Sequence, residues 1–347
     1  MAPIAMTAAT LCERACPDVA EQVHASMDQS VRQLRDLLQD CNLGQGLKPL
    51  LGCLEGALDQ HLQPARPPHL PLLIPLLVHG ANGGDPADAA PISVVAGLLF
   101  LCFDLLDDLQ DGDQRPWWGE TSKSSLMLAA AAFPSALPQK LLLQVGGAER
   151  GATLINALGD GLLNIAEGQA LDLQNIGGTN VNLDVVEESV AGKSGAQMGL
   201  YARLAALHAG CDLACAELWA GWAHGIGVAG QLGSDMQDLL DPDWSRDLAA
   251  GARTLPVGFA LKHSRIGRED LLRLLDHART DRAAQLAARD CIVDSGALLF
   301  AGFRSQVHLA RSEEALRQLP CSDAWRRMCA RLSESRTTAD LLRPGAG

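Results

Sequence analysis

Residues 98–113 begin as an unbroken apolar run and end in carboxylates: Asp104, Asp107, Asp108, Asp111 and Asp113, with Gly112 near the end. If the run is helical, Asp107 and Asp111 stand on one face one turn apart, with Asp108 beside them. Like charges at that spacing disfavour a helix, and acids near its C-terminus oppose the macrodipole, so a cation is expected there. Carboxylates with no neighbouring Cys or His suit a hard ion, Mg2+ before Ca2+. Mg2+ held by one or two carboxylates usually shares its shell with a substrate phosphate. One such cluster could equally be a solvated helix end, but the pattern recurs. A Gly/Ala-rich apolar stretch over 221–233 leads into Gln231, Asp235 and Asp238, at i, i+4 and i+7 on one helical stripe. Two acid-tipped apolar helices predict facing walls of one hydrophobic cavity with a polyanionic rim. The matching ligand is a metal-bridged diphosphate on a greasy tail, with Arg115, Lys193 and Arg253 as the basic groups in reach.

The rest of the composition fits this reading. Lys+Arg 28 against Asp+Glu 41 gives a net charge of −13, which argues against nucleic acid as a partner. The apolar residues are mainly Ala and Leu, with one Tyr, six Phe and six Trp among 347 residues, so an all-α chain is predicted. The ten cysteines form no CxxC pair or Cys/His cluster, and no basic segment followed by an apolar one opens the chain. Reduced cysteines packed as small core residues, and a cytoplasmic protein, are the expectation. No segment reaches about 18 uninterrupted apolar residues, so no transmembrane segment is predicted.

Periodicity predicts helices over 19–41, 47–62, 71–80, 91–111, 123–133, 149–175, 184–188, 193–210, 212–241, 245–263, 269–288 and 290–310, with a Gly/Asn-rich loop at 177–182. No charge-rich linker divides the chain. The expected organisation is a helical segment over 1–40 packed on the core, a single domain over 41–332 and a frayed tail over 333–347.

Four segments in order resemble the trans-polyprenyl diphosphate synthase family, which has the all-α isoprenoid synthase fold, a helical bundle around a central hydrophobic cavity. Residues 107–111 look like its first aspartate-rich motif and 167–173 like its Gly-Gln-x-x-Asp-Leu. Lys193 with Ser194 resembles its Lys-Thr, and 231–238 its second aspartate-rich motif. Asp247 with the Thr-Leu-Pro at 254–256 adds a fifth. The resemblance implies that Asp107, Asp108 and Asp111 are catalytic, that Asp107 and Asp111 among them bind Mg2+, that Asp235 and Asp238 bind the remaining metal, and that three ions act with substrate bound. It also implies that Lys193 binds the allylic diphosphate and that Gln169 and Asp172 flank the reacting carbons. Phe103, with Cys102 beside it, falls where this family places bulk that limits tail length, which favours a short prenyl chain. A homodimer follows from family habit.

The departures concern the second substrate. The family's Gly-Gly-Lys-Arg-x-Arg-Pro, whose cations grip isopentenyl diphosphate, survives here only as Lys48 within 44–49. The paired arginines after the first motif are reduced to Arg115, followed by Trp117 and Trp118. Ser234 stands for the first aspartate of the second motif, and Ala252 for a lysine. The donor site looks kept and the homoallylic acceptor site weakened, since charge-assisted phosphate contacts are the strong ones. The expected activity is Mg2+-dependent ionisation of an allylic prenyl diphosphate and transfer of the prenyl group to an acceptor, isopentenyl diphosphate or another. The weakened motif also resembles family branches that prenylate a peptide side chain. The rivals are a terpene synthase that needs no acceptor and a non-catalytic partner subunit. Trp117, Trp118 or Phe103 could face the allylic cation through a ring, although core or lid packing is favoured for each.

Overall fold

The computed structural model describes residues 17–40, 44–63 and 69–334, and among these there is no strand. The helices are α1 (Pro17–Asp40), α2 (Lys48–His61), α3 (Leu70–Ala81), α4 (Ala90–Asp111), α5 (Lys123–Asn175), α6 (Leu183–Val190), α7 (Ala196–His208) and α8 (Leu213–Leu239). They continue with α9 (Arg246–Ala250), α10 (Leu255–His263), α11 (Arg268–His277), α12 (Arg282–Asp294), α13 (Ala297–Gln318) and α14 (Asp323–Glu334). A π turn, Ala191–Gly195, joins α6 to α7.

The backbone divides into two compact units that interleave along the sequence. Of the described residues, the first comprises those up to Gly159 with Leu200–Ala220 and Gln318–Arg331; the second comprises Asp160–Gly199, Gly221–Arg317 and 332–334. In the first, α1 packs against α2, α3 and α4, and its buried Val23, Leu34 and Leu38 keep the helical period. Pro71 opens α3 at its first turn, where a missing N–H costs nothing, and every residue from Pro71 to Ala81 is buried. α4 follows a 3-10 turn that Asp85 caps by accepting from Ala87 N (2.9 Å). It stops at Gly112, whose φ of 79° is the left-handed conformation that glycine adopts at least cost. In the second unit, α10, α11 and α12 gather around buried Leu255, Leu271 and Ile292.

Several sequence expectations change. α5 runs through 134–148, where a break was expected. Pro134 and Pro138 sit inside it, and a non-helical Gly147 (φ 64°) kinks it. The helix predicted over 245–263 is two, split after Gly251 (φ 80°). The one predicted over 269–288 is also two, because Asp281 starts α12 by accepting from Ala284 N (2.7 Å). α14 was not expected at all. It docks through Trp325, whose ring lies against Gly80 of α3, 2.2 Å from where a Cβ would stand. Residues 1–16 of the predicted N-terminal segment and 335–347 of the predicted tail lie outside the described residues.

Among the described residues, two stretches are long and apolar enough to cross a membrane by length and composition alone, Pro86–Asp111 and Lys123–Asn175. The most apolar window of the first is 72% buried inside the protein, as a core helix would be, and that of the second 44%.

Candidate active site

In the first unit the apolar face of α4 is buried up to Leu105, and the helix then turns acidic. Asp107 is half-buried, Asp111 exposed and Asp108 buried. Asp108 is held by Arg115: Nε donates to Oδ2 at 2.7 Å and Nη2 to Oδ1, while Nη2 also reaches Asp113 Oδ2 at 2.8 Å. Burial pushes the Asp108 carboxyl up, and the Arg115 hydrogen bond pulls it back. The same hydrogen bond holds the guanidinium above its ordinary value. Arg115, expected at the diphosphate, therefore closes the turn after α4 as an ion pair. Cys102 is fully buried, its thiol pushed up by burial, and Phe103 half-buried. Trp118 is buried with its carbonyl near the Cys53 thiol, and Trp117 lies against Gly56 of α2, which agrees with packing roles for both. Lys48 is exposed at the start of α2.

In the second unit a tight backbone contact builds the other group. Gly168 of α5 meets Gly192 of the π turn so closely that a Cβ on Gly168 would lie 2.2 Å from Gly192 C. That turn presents Lys193, whose Nζ is 3.4 Å from Asp172 Oδ2. Ser194 Oγ donates to Gln231 Oε1 (2.9 Å), and Gln231 Nε2 donates to Asp235 Oδ1 (2.8 Å). Asp235 is buried and pushed up to about 7, chiefly by burial and further by Asp172 and Asp238, with Gln231 and Lys193 opposing. Asp172, Lys193, Gln231 and Asp235 thus form one network, and π turns often mark functional sites. Gln169, half-buried, is on α5 one turn before Asp172.

Two predicted residues also hold local turns in place. Asp238 accepts from Ser245 Oγ (2.6 Å), Arg246 N (3.1 Å) and Asp247 N (3.0 Å), so it anchors the N-terminus of α9. Arg253 donates to the carbonyls of Gly178 (2.9 Å) and Gly251 (3.1 Å), tying the 177–182 loop to the α9–α10 turn. Burial lowers its guanidinium.

Among the described residues no three His, Cys, Asp or Glu side chains form a ready metal cage. Mg2+ commonly takes one or two carboxylates and completes its shell with phosphate and water, so Asp107 and Asp111, oxygen donors on one face, fit that ion.

An all-α chain in which α4 and α8 both pass from apolar to acidic has the architecture of the isoprenoid synthases. Solved structures share the fold. The polyprenyl synthetase of Streptomyces coelicolor A3(2) superposes with a TM-score of 0.75 at 21% identity over 91% of this chain and 98% of its own. A decaprenyl diphosphate synthase of Rhodobacter capsulatus does so with 0.76 at 15% over 93% and 99%. The polyprenyl synthetase family model matches residues 68–291, and the chain belongs to that family of prenyl-transferring enzymes. It is 28% identical over 294 residues to the (2E,6E)-farnesyl diphosphate synthase of Mycobacterium tuberculosis, covering 79% of each. It is 27% identical over 283 residues to the geranylfarnesyl diphosphate synthase of Aeropyrum pernix, covering 76% of this chain and 87% of that one.

Proposed function

We propose that this protein ionises an allylic prenyl diphosphate with Mg2+ and transfers the prenyl group to an acceptor. The carrying observation is the carboxylate stripe Asp107–Asp111 at the end of an otherwise buried apolar helix in a polyprenyl synthetase family member. Asp107 and Asp111 would hold Mg2+, and Asp235 with Asp238 a further ion, three in all with substrate bound. When bound, Mg2+ draws negative charge onto the departing diphosphate. Lys193 stabilises that leaving group as a point charge and is positioned by Asp172. Gln231 orients Asp235 and fixes the Ser194 hydroxyl beside the π turn. Phe103 and Cys102 line the tail side of α4 and favour a short donor. The relatives' names, a farnesyl and a geranylfarnesyl diphosphate synthase, support a prenyl diphosphate as the product. In this reading the enzyme is cytoplasmic and homodimeric, the exposed Met127, Leu128 and Leu143 of α5 being suited to a second copy.

A second reading, a terpene synthase acting without isopentenyl diphosphate, draws on the loss of acceptor cations, of which Lys48 alone remains. Incubation with Mg2+ and geranyl, farnesyl or geranylgeranyl diphosphate, with and without isopentenyl diphosphate, separates the readings. A longer diphosphate only when isopentenyl diphosphate is present supports elongation. A hydrocarbon or alcohol without it supports the synthase, and no diphosphate release under any condition rejects both and leaves a non-catalytic subunit.

A further inference from the structure

The turn that presents Lys193 departs from the helical register on either side of it. In an α-helix the Ala191 carbonyl would accept from the Gly195 N–H; here the Ala196 N–H reaches it, one residue farther on. Such a turn is rarer than an α turn and has to be held by its surroundings. On one side α5 brings Gly168 against Gly192. On the other lies α8, where a Cβ on Gly227 would run into the Ser194 carbonyl oxygen. His224, one turn before Gly227, lies over Gly195: a Cβ there would stand 2.7 Å from its Nε2 and 2.9 Å from its Cδ2. The absence of a side chain at Gly195 therefore lets the imidazole close on the turn.

His224 is partly buried, and its ring donates to the Ala191 carbonyl, the one whose bond defines the π register. With the imidazole and the Ala196 N–H both on that oxygen, its two lone pairs are used and the Gly195 N–H has no place there. Burial, then the neighbouring His308, lowers the pKa of His224; the Ala191 bond opposes and Arg311 adds to the lowering, so the ring is neutral at pH 7. His308 is itself paired with Glu187 Oε1 (2.7 Å) of α6, the helix that leads into the turn. Seven residues after His224, on the same stripe of α8, Gln231 accepts from Ser194 Oγ (2.9 Å). One face of α8 thus grips the turn twice, through His224 at Ala191 and through Gln231 at Ser194, with Lys193 between the two grips.

We propose that His224 is a positioning residue: by holding the Ala191 carbonyl it fixes the π turn, and with it the place of the Lys193 ammonium. The proposal rests on Lys193 stabilising the departing diphosphate and says what keeps that charge in position. Loss of the π register would swing Lys193 by up to about 100° around the helix axis, away from Asp172, whose Oδ2 is 3.4 Å from its Nζ. A far smaller movement suffices, since a displacement of about 1 Å can cost about 100-fold in rate. The histidine acts through the turn alone and takes no part in bond making or proton transfer.

The test follows diphosphate release by the full chain with Mg2+, isopentenyl diphosphate and whichever of geranyl, farnesyl and geranylgeranyl diphosphate turns over fastest. A wild type that releases none, or a Lys193→Ala variant that matches the wild type, refutes the reading of the site itself, and the proposal falls with it. Where both conditions are met, His224→Phe, which keeps a ring and loses the N–H, is expected to lower kcat by about 10-fold or more. His224→Gln, whose amide can donate to the same carbonyl, is expected to stay within about threefold of the wild type. In the Lys193→Ala background, where there is no ammonium to misplace, His224→Phe is expected to cost less than about threefold. Gly195→Ala, which pushes the ring off the turn, is expected to share the loss of His224→Phe and serves if that variant fails to fold. A folded His224→Phe within about threefold of the wild-type kcat overturns the proposal. So does a loss that persists in the Lys193→Ala background or that His224→Gln shares, since the histidine would then only pack α8 against the turn.

Discussion

Replacing Gly168 by alanine tests whether the backbone contact at the π turn sets the position of Lys193. In an exposed helical site a Gly→Ala change stabilises by about 0.5–1 kcal/mol, because alanine loses less backbone freedom on folding. Gly159, nine residues earlier on α5, provides that case, since nothing lies within 4 Å of a Cβ there. At Gly168 the same Cβ would stand 2.2 Å from Gly192 C and 2.3 Å from Lys193 N. Both are backbone atoms, so no side chain can rotate away. Relief requires α5 and the turn to part by about 1 Å, and overpacking of this kind costs about 1–3 kcal/mol. After the propensity gain, Gly168→Ala should be destabilised by up to about 2.5 kcal/mol, and since both variants share that gain it should lie about 1–3 kcal/mol below Gly159→Ala. Urea unfolding of both variants reads that difference. The shift would also move Lys193 from Asp172, and a misplacement of about 1 Å can cost about 100-fold in rate. The reasoning is refuted if Gly168→Ala unfolds at the same urea concentration as Gly159→Ala and turns over at the wild-type rate.

Asp107→Ala should lower diphosphate release by about 100-fold or more, and EDTA should do the same to the wild type reversibly; unchanged turnover would reject the metal assignment. Asp238→Ala removes the acceptor for Ser245 Oγ and two backbone N–H groups of α9, so thermal or urea unfolding should show a loss of about 1–2 kcal/mol. Glu187 of α6 accepts from Arg304 Nε (2.8 Å) and pairs with His308 Nε2 (2.7 Å) of α13. Burial alone would raise its pKa, but these hydrogen bonds win and hold it below the ordinary 4.5. A depressed carboxylate contributes stability above its unfolded value and loses it as pH falls through the folded one. Glu187→Gln should therefore lose about 1–3 kcal/mol at pH 7 and show a flatter decline below about pH 4.5 than the wild type in unfolding curves.

Most of the helical architecture was legible because Ala and Leu repeat with a helical period, and α4 and α8 announce themselves by where their apolar runs become acidic. The middle of α5 was not, because Pro134 and Pro138 are local breakers whose cost is outweighed by burial of residues such as Phe133, Leu137 and Leu142, and the chain interrupts the helix only later, at the non-helical Gly147. Lys193, Asp172 and Asp235 could be singled out from motifs carried on three different segments, but the hydrogen bonds and charges that join them could not. The turn-holding hydrogen bonds of Asp238 and Arg253 could not be read from spacing, since their partners are backbone groups of turns whose course sequence alone does not fix. His224 belongs to no motif. The one available signal was its place seven residues before Gln231, on the same helical stripe.

Ion pairing bears on the second substrate. A second diphosphate needs cations whose charge is not already balanced, because the strong phosphate contacts are those to unshared Arg and Lys. Arg115, the cation that follows the first motif, is doubly hydrogen-bonded to Asp108 and reaches Asp113 as well. Lys48 is exposed at the start of α2. Each charge-assisted hydrogen bond missing from a phosphate site weakens binding by about 1.5–3 kcal/mol, about 10- to 100-fold. With two such contacts gone, isopentenyl diphosphate should need a concentration at least about 100-fold above the allylic donor to half-saturate the enzyme. Steady-state kinetics with each substrate varied in turn gives the comparison. Equal KM values for the two diphosphates would mean that other cations of this chain serve the acceptor, and that the shortened motif around Lys48 had been read too literally.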